Sequence, residues 1–213
     1  VAKTSVRELL RATTPNEPRV SLVDLSADQT KWVNEKKALK KLAKQHAKLF
    51  ELQSRLWAEQ KRSVLIAMQG MDTSGKDGTV KHVMTGMNPA GVDVHSFKAP
   101  SPEEKRHNFL WRFKEVLPPP GTIGIFNRTW YEDVLIARVK SLVSEQTINN
   151  RYGEINRFEQ QLVKSGTVVI KLFLHISYDE QRLRLLSRLE NPDKHWKFSE
   201  NDIKERAFWD DYT

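Results

Sequence analysis

Hydrophobic and polar positions divide the chain into three stretches. Residues 1–25 have no clear period and contain Pro15 and Pro18, so they read as an arm or a loosely docked segment. From there to about Arg62 apolar residues return at helical spacing: Trp32, Leu39, Ala43, His46, Phe50 and Trp57, flanked by Leu42, Leu49 and Leu56. Ser26 or Asp28 is placed to cap that long helix. Its stripe is expected to pack on the core or on a second subunit. Lys37, Lys40, Lys41, Lys44 and Lys48 fall on the opposite face, which reads as a solvated face, with a binding surface as the alternative. His46, inside the stripe, reads as a core histidine rather than a ligand.

From residue 63 short apolar runs alternate with amphipathic segments. The pattern predicts strands at 63–69, 92–97, 122–127 and 167–175, and helices at 76–86, 102–117, 129–144 and 151–165. This βαβα order argues for an α/β fold, a parallel sheet with helices on both faces. Ser101 can cap the 102–117 helix, with Pro102 at its first position and Glu104 closing a capping box. Phe109, Leu110, Phe113, Val116 and Leu117 would form its buried face, Trp111 would point away, and Pro118-Pro119-Pro120-Gly121 would stop it. Beyond the last strand the composition shifts to Arg, Lys, Asp and Trp. Arg184 and Arg188, four apart, share a helix face there. Asn191-Pro192-Asp193 breaks that helix, Lys194 and Lys197 follow, and Ser199 can cap a final helix. The organisation expected is therefore an arm and long helix over 1–62, a core over 63–177 and a basic helical lid over 178–213.

Charge narrows the partners. Thirty-five basic against 27 acidic residues give a net charge of +8, which favours polyanions: nucleic acid, anionic lipid or polyphosphate. With no cysteine, disulfides, thiol catalysis and thiolate metal sites are excluded. No apolar run approaches a membrane span and no signal-peptide pattern opens the chain. A cytoplasmic protein without a membrane partner is expected. The start at Val1, without a Met, and the stop at Thr213 read as trimmed ends.

The chemistry concentrates at Gly70-Met71-Asp72-Thr73-Ser74-Gly75-Lys76-Asp77. It has the G-x-x-x-x-G-K frame of a phosphate-binding P-loop, between a predicted strand (Val64–Met68) and a helix entered through Gly78 and Thr79. Glycines let backbone N–H groups turn inward, and the helix start adds positive dipole. Lys76 would be a point charge on outer phosphates. Asp77 stands where Ser or Thr is usual. A carboxylate in a phosphate cradle is costly without a cation, so Asp72 and Asp77 are candidate magnesium ligands, a structural Asp77 being the alternative. The strand Thr122–Phe126 ends in Asn127 and Arg128. Asn127 occupies the usual metal-acid position without the charge, and Arg128 could stabilise a transferred phosphoryl group. Glu132 is either catalytic or the partner of Thr129 in a capping box, and Asp133 can be first-turn helix charge. Lys98, past the second strand, and Arg112 are candidate anion contacts, with plain surface charge as the alternative.

Together these residues resemble the polyphosphate kinase 2 family. The resemblance runs through Gly70–Gly78 including the acid after the lysine, Phe97-Lys98-Ala99-Pro100-Ser101, Phe109-Leu110-Trp111-Arg112, Gly121–Arg128, Ile155–Glu159 and Lys171–Ser177. It continues through Arg184, Arg188, Asn191-Pro192, Lys194, Trp196-Lys197 and Asp202, covering about residues 26–213. It implies a P-loop kinase fold with a lid, Mg2+, inorganic polyphosphate as phosphoryl donor, a nucleoside mono- or diphosphate as acceptor, and a homo-oligomer. Tyr131, Glu132 and Asp133 would belong to the nucleotide site, and Arg184, Arg188, Lys194 and Lys197 to a polyphosphate channel. Phe126-Asn127-Arg128 followed by Tyr131-Glu132-Asp133 is similar to the branch acting on AMP as well as ADP. Many members carry Asp where this chain has Asn127, and the family usually continues past residue 213 with another strand. Two other functions fit the residues alone. One is an ATP-dependent P-loop kinase of a small molecule. The other is a non-enzymatic polyanion- or nucleic-acid-binding protein using Trp196 and Trp209; no nucleic-acid motif supports it, and no nucleic-acid partner is expected.

Overall fold

The computed structural model describes residues 10–11, 20–28 and 34–213. Among these, four strands form one parallel sheet: β1 (Ser63–Gln69), β2 (Val92–Ser96), β3 (Ile123–Asn127) and β4 (Thr167–Phe173), in the order β2-β3-β1-β4. The helices are α1 (Glu35–Glu59), α2 (Lys76–Met84), α3 (Trp111–Lys114), α4 (Glu132–Val139), α5 (Glu145–Lys164), α6 (Tyr178–Glu190), α7 (Glu200–Arg206) and α8 (Trp209–Tyr212). No helix of the described residues is long and apolar enough to cross a membrane.

Strand register sorts the two faces. Val64, Ile66 and Met68 of β1 align with Ile123, Ile125 and Asn127 of β3. This face packs on Leu56 of α1 and on Val80 and Met84 of α2. The alternate residues Leu65, Ala67 and Phe126 face α4 and α5, where Trp130 is fully buried. Trp130 meets Phe158 and Phe113 edge-on, at 5.1 and 5.7 Å. The continuous apolar strand β1 is thus covered on both sides, as its sequence requires. At the sheet edge, Val168, Ile170 and Leu172 of β4 are exposed.

Several boundaries differ from the sequence pattern. The long helix begins at Glu35, and its cap is Asn34, whose side chain accepts from the Lys37 N–H. Ser26 and Asp28 instead close a local turn on each other. Trp32 and the rest of 29–33 lie outside the described residues. The stripe of α1 reaches the core only near its C-terminal end. Leu39, Leu42, Phe50 and Trp57 are exposed, and the anchor is a polar residue, Gln53. Gln53 is 3% exposed; it donates to the Asn88 carbonyl (2.7 Å) and accepts from the Asn88 N–H (2.8 Å). His46 is half-buried, its Nε2 without a partner among the described residues.

The helix predicted over 102–117 is broken. The Ser101–Glu104 capping box forms, but it leads into a single 3-10 turn, Glu104–Arg106. His107 is extended, and the Asn108 side chain accepts from the Leu110 N–H. That local bond competes with helix propagation and leaves only the short α3. The third predicted helix shrinks to Glu132–Val139. The fourth starts six residues early because Ser144 caps it on the Thr147 N–H. Ser199 caps α7 as predicted, although the short α8 follows it.

Gln53→Ala should lower stability by about 2–3 kcal/mol, because it leaves the Asn88 amide and carbonyl unpaired under α1. A urea midpoint unchanged from the parent would contradict that anchor.

Candidate functional site

The glycine loop leaves β1 at its C-terminal end, where ligands bind in open α/β sheets. Two of its glycines are structurally required. Gly70 has φ +153°, and a Cβ there would lie 2.8 Å from the Leu174 carbonyl and 2.7 Å from Ser74 Oγ. Gly75 has φ +97°, with an Arg184 Nη1 only 3.3 Å from where its Cβ would be. Thr73 (φ +64°) and Arg128 (φ +65°) take the left-handed conformation without being glycine. Such conformations persist where surrounding contacts over-determine them.

Around this loop opens a crevice of about 970 Å³. Its wall includes Asp72, Thr73, Ser74, Gly75, Lys76, Asp77 and Gly78 from the loop, Lys98 after β2, Asn127 at the end of β3 and Arg128 after it. Arg184, Ser187 and Arg188 of α6, with Lys194, Lys197 and Ser199 beyond it, close the other side. Residues distant in sequence and expected to hold phosphates are therefore brought together. Gly70, Thr79, Arg112, Tyr131, Glu132 and Asp133 do not line the crevice. Arg112 is sunk under Lys98: it donates to the Lys98 carbonyl (2.9 Å) and lies over the Phe97 ring. Its contact is with the residue that faces the crevice.

Lys76 is buried and turned back on its own loop, donating to the Gly70 (2.7 Å) and Met71 (3.1 Å) carbonyls. Burial holds its pKa below the usual lysine range, Arg128 lowers it further, and Asp72, Glu132 and Asp77 oppose both. The acids are spoken for. Asp72 pairs with Arg128 at 2.8 Å. Asp77 accepts from the Asn127 side chain at 2.6 Å, with Lys197 at 4.0 Å. No group of three or more metal-ligating side chains occurs among the described residues. The donor set suits a hard cation that takes one or two carboxylates and completes its shell with water and substrate oxygens.

Glu132 does not close a box with Thr129. The Thr129 hydroxyl accepts from the Tyr131 N–H, and the Glu132 carboxylate accepts from Gln69 at 3.0 Å. Burial raises the Glu132 pKa, while Arg128, the Gln69 bond and Lys76 pull it down. Tyr131 donates to Glu159, which also receives Trp130 Nε1 and Lys171; burial and Glu159 push the Tyr131 pKa up to about 12. Asp133 is pushed up to about 6 by burial, against the pull of Arg151 and Arg112.

Three contributors are missing from the sequence reading above. Gln69 is a polar residue at the end of an apolar strand, a signal that could have been read. Gln181 and Arg206 lie in a charged helical segment without any distinguishing pattern. They join that segment to the loop, Gln181 donating to the Asp72 carbonyl and Arg206 to Gln181.

Comparison with known proteins decides the family. The model of the polyphosphate kinase 2 family matches residues 32–213. The chain belongs to the polyphosphate kinase 2 family. Among curated relatives, an AMP/ADP-polyphosphate phosphotransferase of Meiothermus ruber is 48% identical over 175 residues, 82% of this chain and 66% of the relative. An ADP-polyphosphate phosphotransferase of Rhodopseudomonas palustris is 47% identical, over 80% of this chain and 63% of its own length. The chain thus spans just under two thirds of these relatives. A crystal structure of polyphosphate kinase 2 from Arthrobacter aurescens TC1 superposes with a TM-score of 0.90 at 44% identity, covering 98% of this chain and 75% of that one. The fold is that of these kinases, an α/β parallel sheet with helices around it.

Asp133 gives this polyphosphate kinase 2 chain a stability term that depends on pH. A carboxyl whose folded pKa (about 6) exceeds its unfolded value (3.8) binds protons more tightly when folded. Stability contributed by it is present at low pH and lost as pH rises through about 4 to 6. Asp133→Asn should therefore be more stable than the parent at pH 8, by about 1–3 kcal/mol, with the gap closing towards pH 4. Parallel melting curves with no convergence would contradict this.

Proposed function

We propose that the chain transfers the terminal phosphoryl group between inorganic polyphosphate and AMP or ADP, reversibly and with Mg2+. The observation that carries it is the crevice itself. Lys76, Arg128, Lys98, Arg184, Arg188, Lys194 and Lys197 face one cavity from both sides, with Asp72 and Asp77 the only acids on its wall among the described residues. Such an excess of cations suits two phosphate chains meeting end to end, and the names of the relatives agree with it.

Phosphoryl transfer asks the protein for alignment and charge stabilisation more than covalent chemistry. The acceptor's terminal phosphate oxygen attacks the end phosphorus of polyphosphate in line, and the bridging oxygen leaves with the shortened chain. Phosphate oxygens replace the Gly70 and Met71 carbonyls as partners of the Lys76 ammonium. Arg128, held in position by Asp72, neutralises charge on the equatorial oxygens. Asp72 and Asp77 would hold magnesium, which supplies charge neutralisation and orientation of the phosphates. Arg184, Arg188, Lys194 and Lys197 form the lid side of the polyphosphate path. Lys98, with Arg112 behind it, serves the nucleotide side, and Tyr131, Glu132 and Asp133 at the start of α4 support it from outside the crevice wall. The run Phe126-Asn127-Arg128 followed by Tyr131-Glu132-Asp133 favours use of AMP beside ADP. The setting is cytoplasmic and the working form a homo-oligomer, for which the exposed Leu39, Leu42 and Phe50 of α1 offer a surface.

Purified protein given polyphosphate, magnesium and AMP or ADP, with no ATP, should produce ADP or ATP. GDP and UDP in parallel report base preference. Phosphorylation of a small molecule by ATP, with polyphosphate inert, would overturn the assignment. Lys76→Ala should lose about 10²–10³ in rate while its circular dichroism matches the parent. Undiminished turnover in that variant would remove Lys76 from the mechanism.

A further inference from the structure

The segment beyond β4 grips the glycine loop through its backbone, by a side chain that lies off the crevice wall. Gln181 is 2% exposed on α6. Its amide nitrogen donates to the Asp72 carbonyl at 2.9 Å, and its amide oxygen accepts from Arg206 Nη1 at 2.9 Å. Chemistry fixes this orientation: a carbonyl only accepts and a guanidinium only donates. Arg206 is held in turn by the Tyr178 carbonyl (3.0 Å) and by the Tyr178 ring beneath its guanidinium (3.7 Å). One residue along the loop, Arg184 Nη1 donates to the Thr73 carbonyl at 3.0 Å.

A trans peptide points its N–H opposite to its C=O. Drawing the Asp72 carbonyl towards α6 therefore turns the Thr73 N–H away from α6. That N–H has no acceptor among the described residues, and the Thr73 hydroxyl is buried without a partner as well. Thr73 also sits in the left-handed region, at φ +64°, which needs holding from outside. The amide of this strained residue of the crevice wall is a donor left for a ligand oxygen, whereas the hydroxyl is closed off.

We propose that Gln181, oriented by Arg206, is a positioning residue that fixes the Asp72–Thr73 peptide of the glycine loop, so that the Thr73 amide meets a phosphate oxygen. This rests on the phosphate-binding role of the loop given above. Arg206 acts only through Gln181, so its effect is conditional on the carboxamide.

Gln181→Leu keeps the volume and removes both hydrogen bonds. In the ligand-free protein, amide exchange at Ser74, whose N–H is held on the Met71 carbonyl, should accelerate roughly tenfold. Exchange in β1 and β3 should stay as in the parent. Binding of inorganic tripolyphosphate with magnesium should weaken by a similar factor. Arg206→Ala should show the same loss or a smaller one, and the double variant should be no worse than Gln181→Leu alone. Unchanged Ser74 exchange in Gln181→Leu overturns the proposal, and additive losses overturn the part of Arg206. If Gln181→Leu fails to fold, Gln181→Glu keeps the Arg206 partner but sets an acceptor against the Asp72 carbonyl, and the same two readouts apply. Accelerated loop exchange in a protein whose parent ignores tripolyphosphate would sink the phosphate-binding role instead, leaving the grip of Gln181 on the loop intact.

Discussion

A lysine ammonium sunk among backbone carbonyls at the open end of a parallel sheet sets the terms for everything around it. Burying an unpaired charge costs several kcal/mol unless partners repay the lost water. Lys76 has only the Gly70 and Met71 carbonyls, the Ser74 hydroxyl and more distant carboxylates. Neutral acceptors compensate it incompletely, which is why burial depresses its pKa despite three acids nearby. A dianionic phosphate oxygen is the partner such a cation lacks. On the proposed function, the loop must curl tightly enough to offer carbonyls yet release the ammonium to phosphate. Gly70 allows the curl, since a side chain there would strike the Leu174 carbonyl.

The same electrostatic demand orders the second ring of residues. Arg128 stands close enough to Lys76 to repel it, and the two cations are kept together by Asp72 and Glu132. Glu132 is itself desolvated, and its bond from Gln69 offsets part of that cost. Removing any one of these charges would leave another buried and unbalanced. The cluster is thus a unit in which no member has a fixed energetic share. The segment over 178–213 closes on this unit through Gln181 and Arg184, and it is tied to α4 by Lys140 and Glu205 at 2.9 Å.

What could be read from the sequence was what a short run of residues decides. The strand before Gly70, the loop frame and the caps at Ser144, Ser177 and Ser199 are local, although of these caps the sequence pattern above names only Ser199. The helix over 102–117 failed because Asn108 offers its side chain to the Leu110 amide, a local competitor hidden within an otherwise helical pattern. Thr129 and Glu132 matched a capping box in sequence. Gln69, 63 residues away along the chain, captured the carboxylate instead. The anchor of α1 escaped for a similar reason: periodicity marks apolar faces, and Gln53 works by pairing with the backbone of Asn88, 35 residues further along the chain. Gln181 carries no signal at all, because a buried amide in a charged helix looks like its exposed neighbours until the fold assembles.

Asn127 shows how a departure at one position is absorbed by another. As a sequence feature it looked like a metal acid with its charge missing. In the structure its amide donates to Asp77 across the crevice at 2.6 Å. A carboxylate at 127 would face the Asp77 carboxylate at that distance, and two such groups cannot both stay ionised without a cation or a shared proton. With Asn127 the contact is a charge-assisted hydrogen bond that stands without metal. Asp77 is held in the direction of the strand end, while most of its side chain stays open to solvent and to Lys197. The acid after the loop lysine and the amide that ends β3 are therefore one device: the first supplies charge, and the second fixes where that charge points.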